Sequence, residues 1–158
     1  MNETVKKAVV IEGSRKVFDK SRRMVDDAYF IKLPSNLRWY IYINGYRPEM
    51  NYLYALIVDR YNVDLGYAFP SMLNLSREYG RTEPTTREHL RKLKDVGLID
   101  YTGIAGKKHY VPLEPLIQEE LFRQCPDAES NYHAALKSEA DERKRSADNW
   151  LLMNDYRK

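Results

Sequence analysis

The sequence contains little that would support catalysis or metal binding. Its single cysteine, Cys125, excludes an internal disulfide and any metal site that needs several cysteines. The three histidines are scattered, and none stands at a ligand-like spacing from a cysteine or a carboxylate. No glycine-rich phosphate loop occurs. We therefore expect no metal, no cofactor and no enzymatic activity.

Long apolar runs are also missing. None approaches the roughly 18 residues that a membrane span needs, and the apolar patch near the N-terminus is too short for a secretory signal. The chain has 158 residues, of which 43% are hydrophobic and 31% charged. This size and composition predict one well-cored domain with an appendage, in the cytoplasm and without membrane contact.

Net charge is low, at +3, but its distribution along the chain is uneven. Residues 77–110 carry eight Lys/Arg and five Asp/Glu, whereas residues 111–158 carry seven Lys/Arg and ten Asp/Glu. A basic middle beside an acidic C-terminal third indicates a module that faces a polyanion, with a separate solvated or partner-binding element.

Two helices with clear end signals occupy this basic middle. Ser71 is suited to cap the first helix, and Gly80 is suited to end it in a left-handed conformation. Thr82 is suited to cap the second helix, with Pro84 in its first turn and Gly97 at its end. Helical spacing in the second helix predicts a buried stripe formed by Thr86, Leu90 and Leu93.

A β-hairpin is predicted directly after this helix pair. Two β-prone runs, 98–102 and 108–113, flank a glycine-bounded tip with two lysines beside it. Upstream, Pro48 opens a helix with one apolar face, whereas the segment LRWYIYINGYRP fits either a strand or a short helix. After the hairpin we expect helices, with a break at Pro126. The predicted fold class is mostly α with a small β-hairpin.

The order helix, turn, helix and hairpin points to a known family. The segment FPSMLNLSREYGRTEPTTREHLRKLKDVGLI resembles the reading head of bacterial winged helix-turn-helix DNA-binding proteins. The shared features are the Gly-x-Ser/Thr turn, the Thr-x-Arg-x-x-Leu-x-x-Leu helix and the Gly-Leu-Ile exit. The FIKLP entry and the tyrosine-rich helix after it are similar to the opening of replication initiators and replisome organisers from Gram-positive plasmids and phages. General regulators from the same sources begin in this way too.

The resemblance implies three parts of the chain. We expect a flexible or basic N-terminal arm over 1–27, a winged helix-turn-helix domain over 28–115 and a C-terminal helical extension over 116–158. A homodimer is expected because one small reading head contacts few base pairs. A replication or transcription protein is a further expected partner.

The helix that follows Thr82 is predicted to enter the major groove of duplex DNA with its N-terminal end nearest the base edges. The predicted hairpin is the wing of this fold. The expected DNA contacts are side chains of the helix off its buried stripe and side chains of the wing: Thr82, Glu83, Thr85, Arg87, Glu88, Arg91, Lys94, Lys107, Lys108 and His109. We expect sequence-specific DNA binding in plasmid or phage replication initiation or its control. The alternatives are a transcriptional regulator of a mobile element and, from a different class, a winged helix that docks another protein.

Overall fold

The structure, a computed structural model, describes Gly13, Ser21, residues 30–104 and residues 107–156. The predicted N-terminal arm therefore lies almost wholly outside the described residues, as does the tip of the hairpin. One compact unit begins at Ile31. Its elements are, in chain order, the 3-10 helix η1 (Ser35–Tyr42), α1 (Met50–Asp59), α2 (Met72–Tyr79), α3 (Glu83–Asp95), β1 (Ile99–Ile104), β2 (Lys107–Pro112), α4 (Gln118–Gln124) and α5 (Pro126–Asp155).

These elements confirm the predicted fold class, mostly α with a small β-hairpin and C-terminal helices. The core of the first half is a three-helix arrangement in which α1, α2 and α3 all contact one another. Fully buried apolar side chains fill the space between them: Leu53, Ile57, Leu75, Leu90 and Leu93. The apolar face of α1 stops with the helix at Asp59, and Tyr61, at the next helical spacing, lies beyond it and is exposed.

The hairpin packs against this core as an antiparallel pair in which Tyr101 faces Tyr110 and Gly103 faces Lys108. A third segment joins it at Ala68, whose backbone N–H and C=O both hydrogen-bond to Tyr110, at 2.7 and 2.8 Å. The strands run closer to the tip than the sequence predicts, as far as Ile104 and Lys107. The wing is therefore tied at its base to the loop that precedes α2.

The segment whose pattern fitted either a strand or a short helix is η1. Its two buried residues, Leu37 and Tyr40, are three positions apart. That spacing matches the three residues per turn of a 3-10 helix, so both side chains point to the same side. The Tyr40 hydroxyl also accepts a hydrogen bond from the backbone N–H of Leu116 at 2.9 Å, which ties η1 to the chain after the hairpin.

The C-terminal helices pack against η1 through aromatic rings. Tyr132 of α5 contacts Trp39 and Tyr42, with ring centroids 5.7 and 5.2 Å apart. Pro126 ends α4 as expected, but it also occupies the first turn of α5, where its missing N–H costs nothing. The predicted break is therefore a junction between two consecutive helices. The assignment of 116–158 to a separate extension stays a prediction.

Two absences concern only the part of the chain that the structure describes. Within residues 30–104 and 107–156, no helix is both long and apolar enough to cross a membrane. The same residues contain no group of three or more His, Cys, Asp or Glu side chains placed to hold a metal ion.

The buried stripe of α3 makes a stability prediction. Leu90 is fully buried, so Leu90→Ala is expected to lower the free energy of unfolding by about 2–5 kcal/mol, since it leaves a cavity. Leu65, half exposed in a loop, is the matched control, and Leu65→Ala is expected to change it by less than about 0.5 kcal/mol. Chemical denaturation measures both. Equal effects of the two substitutions would show that α3 does not pack as described.

Candidate nucleic-acid interface

The turn between α2 and α3 is built as its residues predict. The Ser71 hydroxyl caps α2 by accepting from the N–H of Asn74 at 3.1 Å. Gly80 ends the helix in the left-handed region, at φ +72°, which disfavours residues with a Cβ. Thr82 caps α3 by accepting from the N–H of Thr85 at 3.4 Å. These three residues fix the angle at which α3 leaves α2.

One face of α3 is buried, and that face determines which side chains remain for a ligand. Thr86, Leu90 and Leu93 are fully buried, as the sequence predicts. His89 belongs to the same stripe. Because 3.6 residues make one turn, Glu88 and Arg91 lie on the opposite side of the helix, where both are exposed. Arg87 is exposed on the flank that faces the wing.

His89 takes part in a polar network on the buried side of α2 and α3. The Tyr79 hydroxyl lies 2.8 Å from His89 Nδ1, and Arg81 pairs with Glu49 at 2.6 Å beside them. Burial lowers the pKa of His89 and raises that of Tyr79 to about 12. A neutral imidazole whose Nδ1 accepts from the Tyr79 hydroxyl fits both shifts. The network joins α2, α3 and the start of α1 on the side of α3 that is turned away from solvent.

The wing and α3 form the walls of a cleft. Arg87 of α3 lines it together with Lys107 and Lys108 of the wing, and its volume is about 490 Å³. The floor is apolar and aromatic, formed by Phe69, Pro70, Met72 and Tyr110, with Ser71 at the α2 cap. Three cationic side chains from two elements therefore line the same cleft.

Tyr101 fixes the wing relative to the end of α3. The ammonium of Lys94 lies 4.4 Å from the centre of the Tyr101 ring, and that of Lys108 lies 4.7 Å from it. Lys94 also donates to the Tyr101 carbonyl at 3.1 Å and pairs with Asp100 at 3.5 Å. The Lys94 ammonium is thus bound to β1. The Lys108 ammonium contacts only the Tyr101 ring among the described residues.

Several charges of the basic segment are paired inside the protein. Arg87 pairs with Glu83 at 3.1 Å, one turn earlier on α3. Lys92 donates to the Asn44 carbonyl at 2.9 Å. Arg91, by contrast, has no hydrogen bond or ion pair with any residue that the structure describes, and it lies beside Glu88 and Arg47 in a shallow depression. Arg91 is therefore the cation on α3 that is least committed to intramolecular contacts.

The predicted contact residues accordingly fall into three places. Arg87, Lys107 and Lys108 line the cleft, with Glu83 bound to Arg87. Glu88 and Arg91 share the outward side of α3. Thr82, Thr85, Lys94 and His109 have structural contacts: the first two share a hydrogen bond at the cap, and the His109 ring packs on Tyr67 with centroids 4.2 Å apart. The DNA contacts of all ten residues stay predictions.

Two groups border these places without being among the predicted contact residues. Arg47 lies beside Arg91 because the chain turns at Gly45 and brings the loop before α1 against α3. Phe69 and Met72 line the wing cleft because the Ala68 bridge places the start of α2 next to β2. The Asn44-Gly45 turn signal followed by an arginine was the available cue for Arg47. No cue marked Phe69.

Comparison with known proteins gives few matches. No protein-family model matches the chain, and no curated protein matches it. A solved structure of MepR, a transcription regulator of the Staphylococcus aureus multidrug efflux pump MepA, is similar at 17% identity and a TM-score of 0.35, over 70% of this chain and 80% of that one. S. aureus MepR bound to ethidium bromide is similar at 14% identity and a TM-score of 0.34, over 73% and 81% of the two chains.

The buried histidine predicts a pH dependence of stability. Burial lowers the pKa of His89 below its ordinary value of 6.5. As pH falls through that value, the unfolded chain takes up the proton first, so the free energy of unfolding decreases. We expect it to fall as pH drops below about 6.5. His89→Asn, which keeps an acceptor for Tyr79, is expected to flatten that fall.

His133 provides the matched control, because it is exposed on α5. His133→Asn should leave the pH profile of the wild type unchanged. Denaturant titrations at several pH values above and below about 6.5 measure all three proteins. An unchanged profile in His89→Asn would show that another group controls stability in this range.

Proposed function

We propose that this protein binds duplex DNA sequence-specifically, with α3 in the major groove and the wing on the flanking backbone. The observation that carries the proposal is the cleft that Arg87 of α3 lines together with Lys107 and Lys108 of the wing. Cations on a protruding helix and on the adjacent hairpin match the alternation of groove and phosphate along B-DNA. The helix-turn-helix arrangement supports the same assignment.

The exposed side of α3 and the wing would contact different parts of the DNA. Arg91 and Glu88 lie on the exposed side of α3, and a helix in the major groove meets base edges with its exposed side. Arg91 is unpaired within the described residues, so it is available to guanine or to phosphate, and Glu88 is able to accept from the amino group of cytosine. Lys107 and Lys108 on the wing would contact phosphates and supply the salt-dependent part of the affinity.

The acidic residues limit attraction to DNA of any sequence. Glu83 neutralises Arg87 in the free protein, at 3.1 Å, and Glu88 lies beside Arg91. Nonspecific binding depends on the number of phosphates that cations neutralise. Because part of the positive charge is already balanced, binding would depend more on a matching base sequence and less on bulk charge.

For the cellular role we propose regulation of transcription, with replication control of a plasmid or phage as the alternative. Occupying a promoter is sufficient to regulate it, whereas an initiator must also recruit replication proteins. Footprinting on the DNA that the protein selects distinguishes the two. Protection across a promoter supports the first role, and protection of repeats at a replication origin supports the second.

The wing lysines provide a direct test of DNA binding. The double variant Lys107→Ala/Lys108→Ala is expected to weaken binding at low salt and to reduce the slope of log affinity against log salt by about 2, roughly one unit per lost phosphate contact. Lys137→Ala/Lys144→Ala removes the same charge from the exposed part of α5 and is the matched control. Fluorescence anisotropy with labelled duplexes measures both.

Two results would contradict this proposal. If the α5 control lost as much affinity as the wing variant, the attraction would come from net charge and not from the cleft. If the wild type bound no duplex at low salt, the winged helix would be a protein-docking module, which the acids beside Arg91 would also suit.

Glu83 tests the limit on nonspecific binding. Glu83→Ala releases Arg87, so affinity for a nonspecific duplex is expected to rise and the ratio of specific to nonspecific affinity to fall. Glu119→Ala removes the same charge from α4, where the side chain is exposed, and should leave the ratio unchanged. Competition titrations with matched and scrambled duplexes measure it. An unaltered ratio in Glu83→Ala would leave Glu83 as a helix-start residue only.

A further inference from the structure

The helix α5 extends far beyond the part that packs on the body. It has 30 residues, so it is about 45 Å long. Ala128 and Tyr132 in its first two turns contact the rest of the unit, but every residue from 133 to 153 is exposed. Most of the stability of helices in proteins comes from packing one face against another surface. This segment therefore offers a long, uncovered face to a partner.

One line of residues along α5 has the spacing of a helix-pairing stripe. Its members are alternately four and three positions apart: Tyr132, Leu136, Glu139, Arg143, Ser146, Trp150 and Met153. This alternation keeps side chains on one side of a helix that packs lengthwise against another. Tyr132 belongs to the aromatic cluster with Trp39 and Tyr42, whereas Trp150 is 66% exposed.

The stripe is complementary to itself when it is reversed. Aligned antiparallel about the level of Asp141, it brings Trp150 opposite Tyr132 of a second copy. In the same alignment Glu139 lies opposite Arg143, and Leu136 lies opposite the small Ser146. These six residues form layers that are aromatic on aromatic, acid on base, or large on small, and Met153 lies opposite Glu129, beyond the stripe. Such a surface is isologous, because each pairing occurs twice about a two-fold axis.

We propose that α5 pairs antiparallel with α5 of a second copy of this chain through that stripe. Trp150, more than half exposed in the single chain, would be covered by the partner near its aromatic cluster. Glu139 and Arg143 already form an ion pair within one helix. Two copies would join these pairs into a cluster of four alternating charges.

The same charges exclude a parallel arrangement. In a parallel pair in register, Glu139 would face Glu139 and Arg143 would face Arg143. Like charges opposite each other destabilise a helix pair and select against that orientation. The charged middle of the stripe therefore specifies the direction, and the apolar ends at Leu136 and Trp150 supply the contact area.

Charge reversal tests this pairing. Alone, Glu139→Arg places two arginines opposite each other, and Arg143→Glu places two glutamates opposite each other, so each variant is expected to self-associate at least about tenfold more weakly than the wild type. Mixed together, the two variants form only complementary pairs, and dimerisation is expected to return. Lys144→Glu on the other side of α5 is the matched control and should dimerise like the wild type. Sedimentation equilibrium measures every sample, and circular dichroism confirms that each keeps its helix content.

The apolar end and the direction are tested separately. Trp150→Ser is expected to weaken dimerisation by roughly tenfold or more, while Leu152→Ser, off the stripe, should not. In a Cys125→Ala background, chains with Leu136→Cys are expected to cross-link to chains with Ser146→Cys under oxidation, and neither to itself.

Two outcomes would overturn the pairing. One is a wild-type monomer at all concentrations reached, which would leave the stripe to a different partner. The other is cross-linking of Leu136→Cys chains with one another, which would indicate parallel helices. These experiments use the free protein without DNA, so the pairing can fail while DNA binding holds, and the reverse.

Discussion

The packing of one face of α3 against α1 and α2 is the constraint on which the rest of this protein depends. Leu90 and Leu93 have no solvent exposure, so the helix cannot rotate about its axis without exposing them. That fixed rotation places Arg91 outward and Arg87 toward the wing. The buried contact between His89 and Tyr79 adds a directional restraint to the apolar one, because a hydrogen bond tolerates less displacement than a hydrophobic contact.

The arrangement of charge on α3 follows from this fixed rotation. Eight basic residues lie between 77 and 110, but the fold uses several of them to hold itself together. Arg81 joins the α2–α3 turn to Glu49 of the α1 entry, and Lys94 joins α3 to the strand that follows. Under the proposed DNA binding, the surface left for contact is smaller than the charge count suggests, and it is concentrated at Arg91 and in the wing cleft. Such a surface would gain specificity from the position of its charges more than from their total.

Local signals were sufficient to predict the helix-turn-helix segment, because each depends on neighbouring residues alone. The caps at Ser71 and Thr82 and the left-handed Gly80 need no information from the rest of the chain. Contacts between distant segments were not predictable in this way. The hydrogen bond from Lys92 to Asn44 spans 48 positions, and the bridge from Ala68 to Tyr110 depends on how the hairpin meets the core. The positions of Arg47 and Phe69 beside the candidate contact residues could therefore not be predicted from neighbouring residues alone. For the same reason η1 could not be distinguished from a strand.

Tyr101 has a consequence for how the wing meets a ligand. Its ring is within cation–π distance of Lys94 on α3 and of Lys108 on the other strand of the hairpin. The wing is therefore already oriented before any ligand arrives, and little conformational entropy remains to be lost when it engages. Lys108 would exchange an aromatic face for a phosphate, and Lys94 would keep its place. Under the proposed DNA binding, the aromatic ring would hold the Lys108 charge in place until a phosphate takes over that contact.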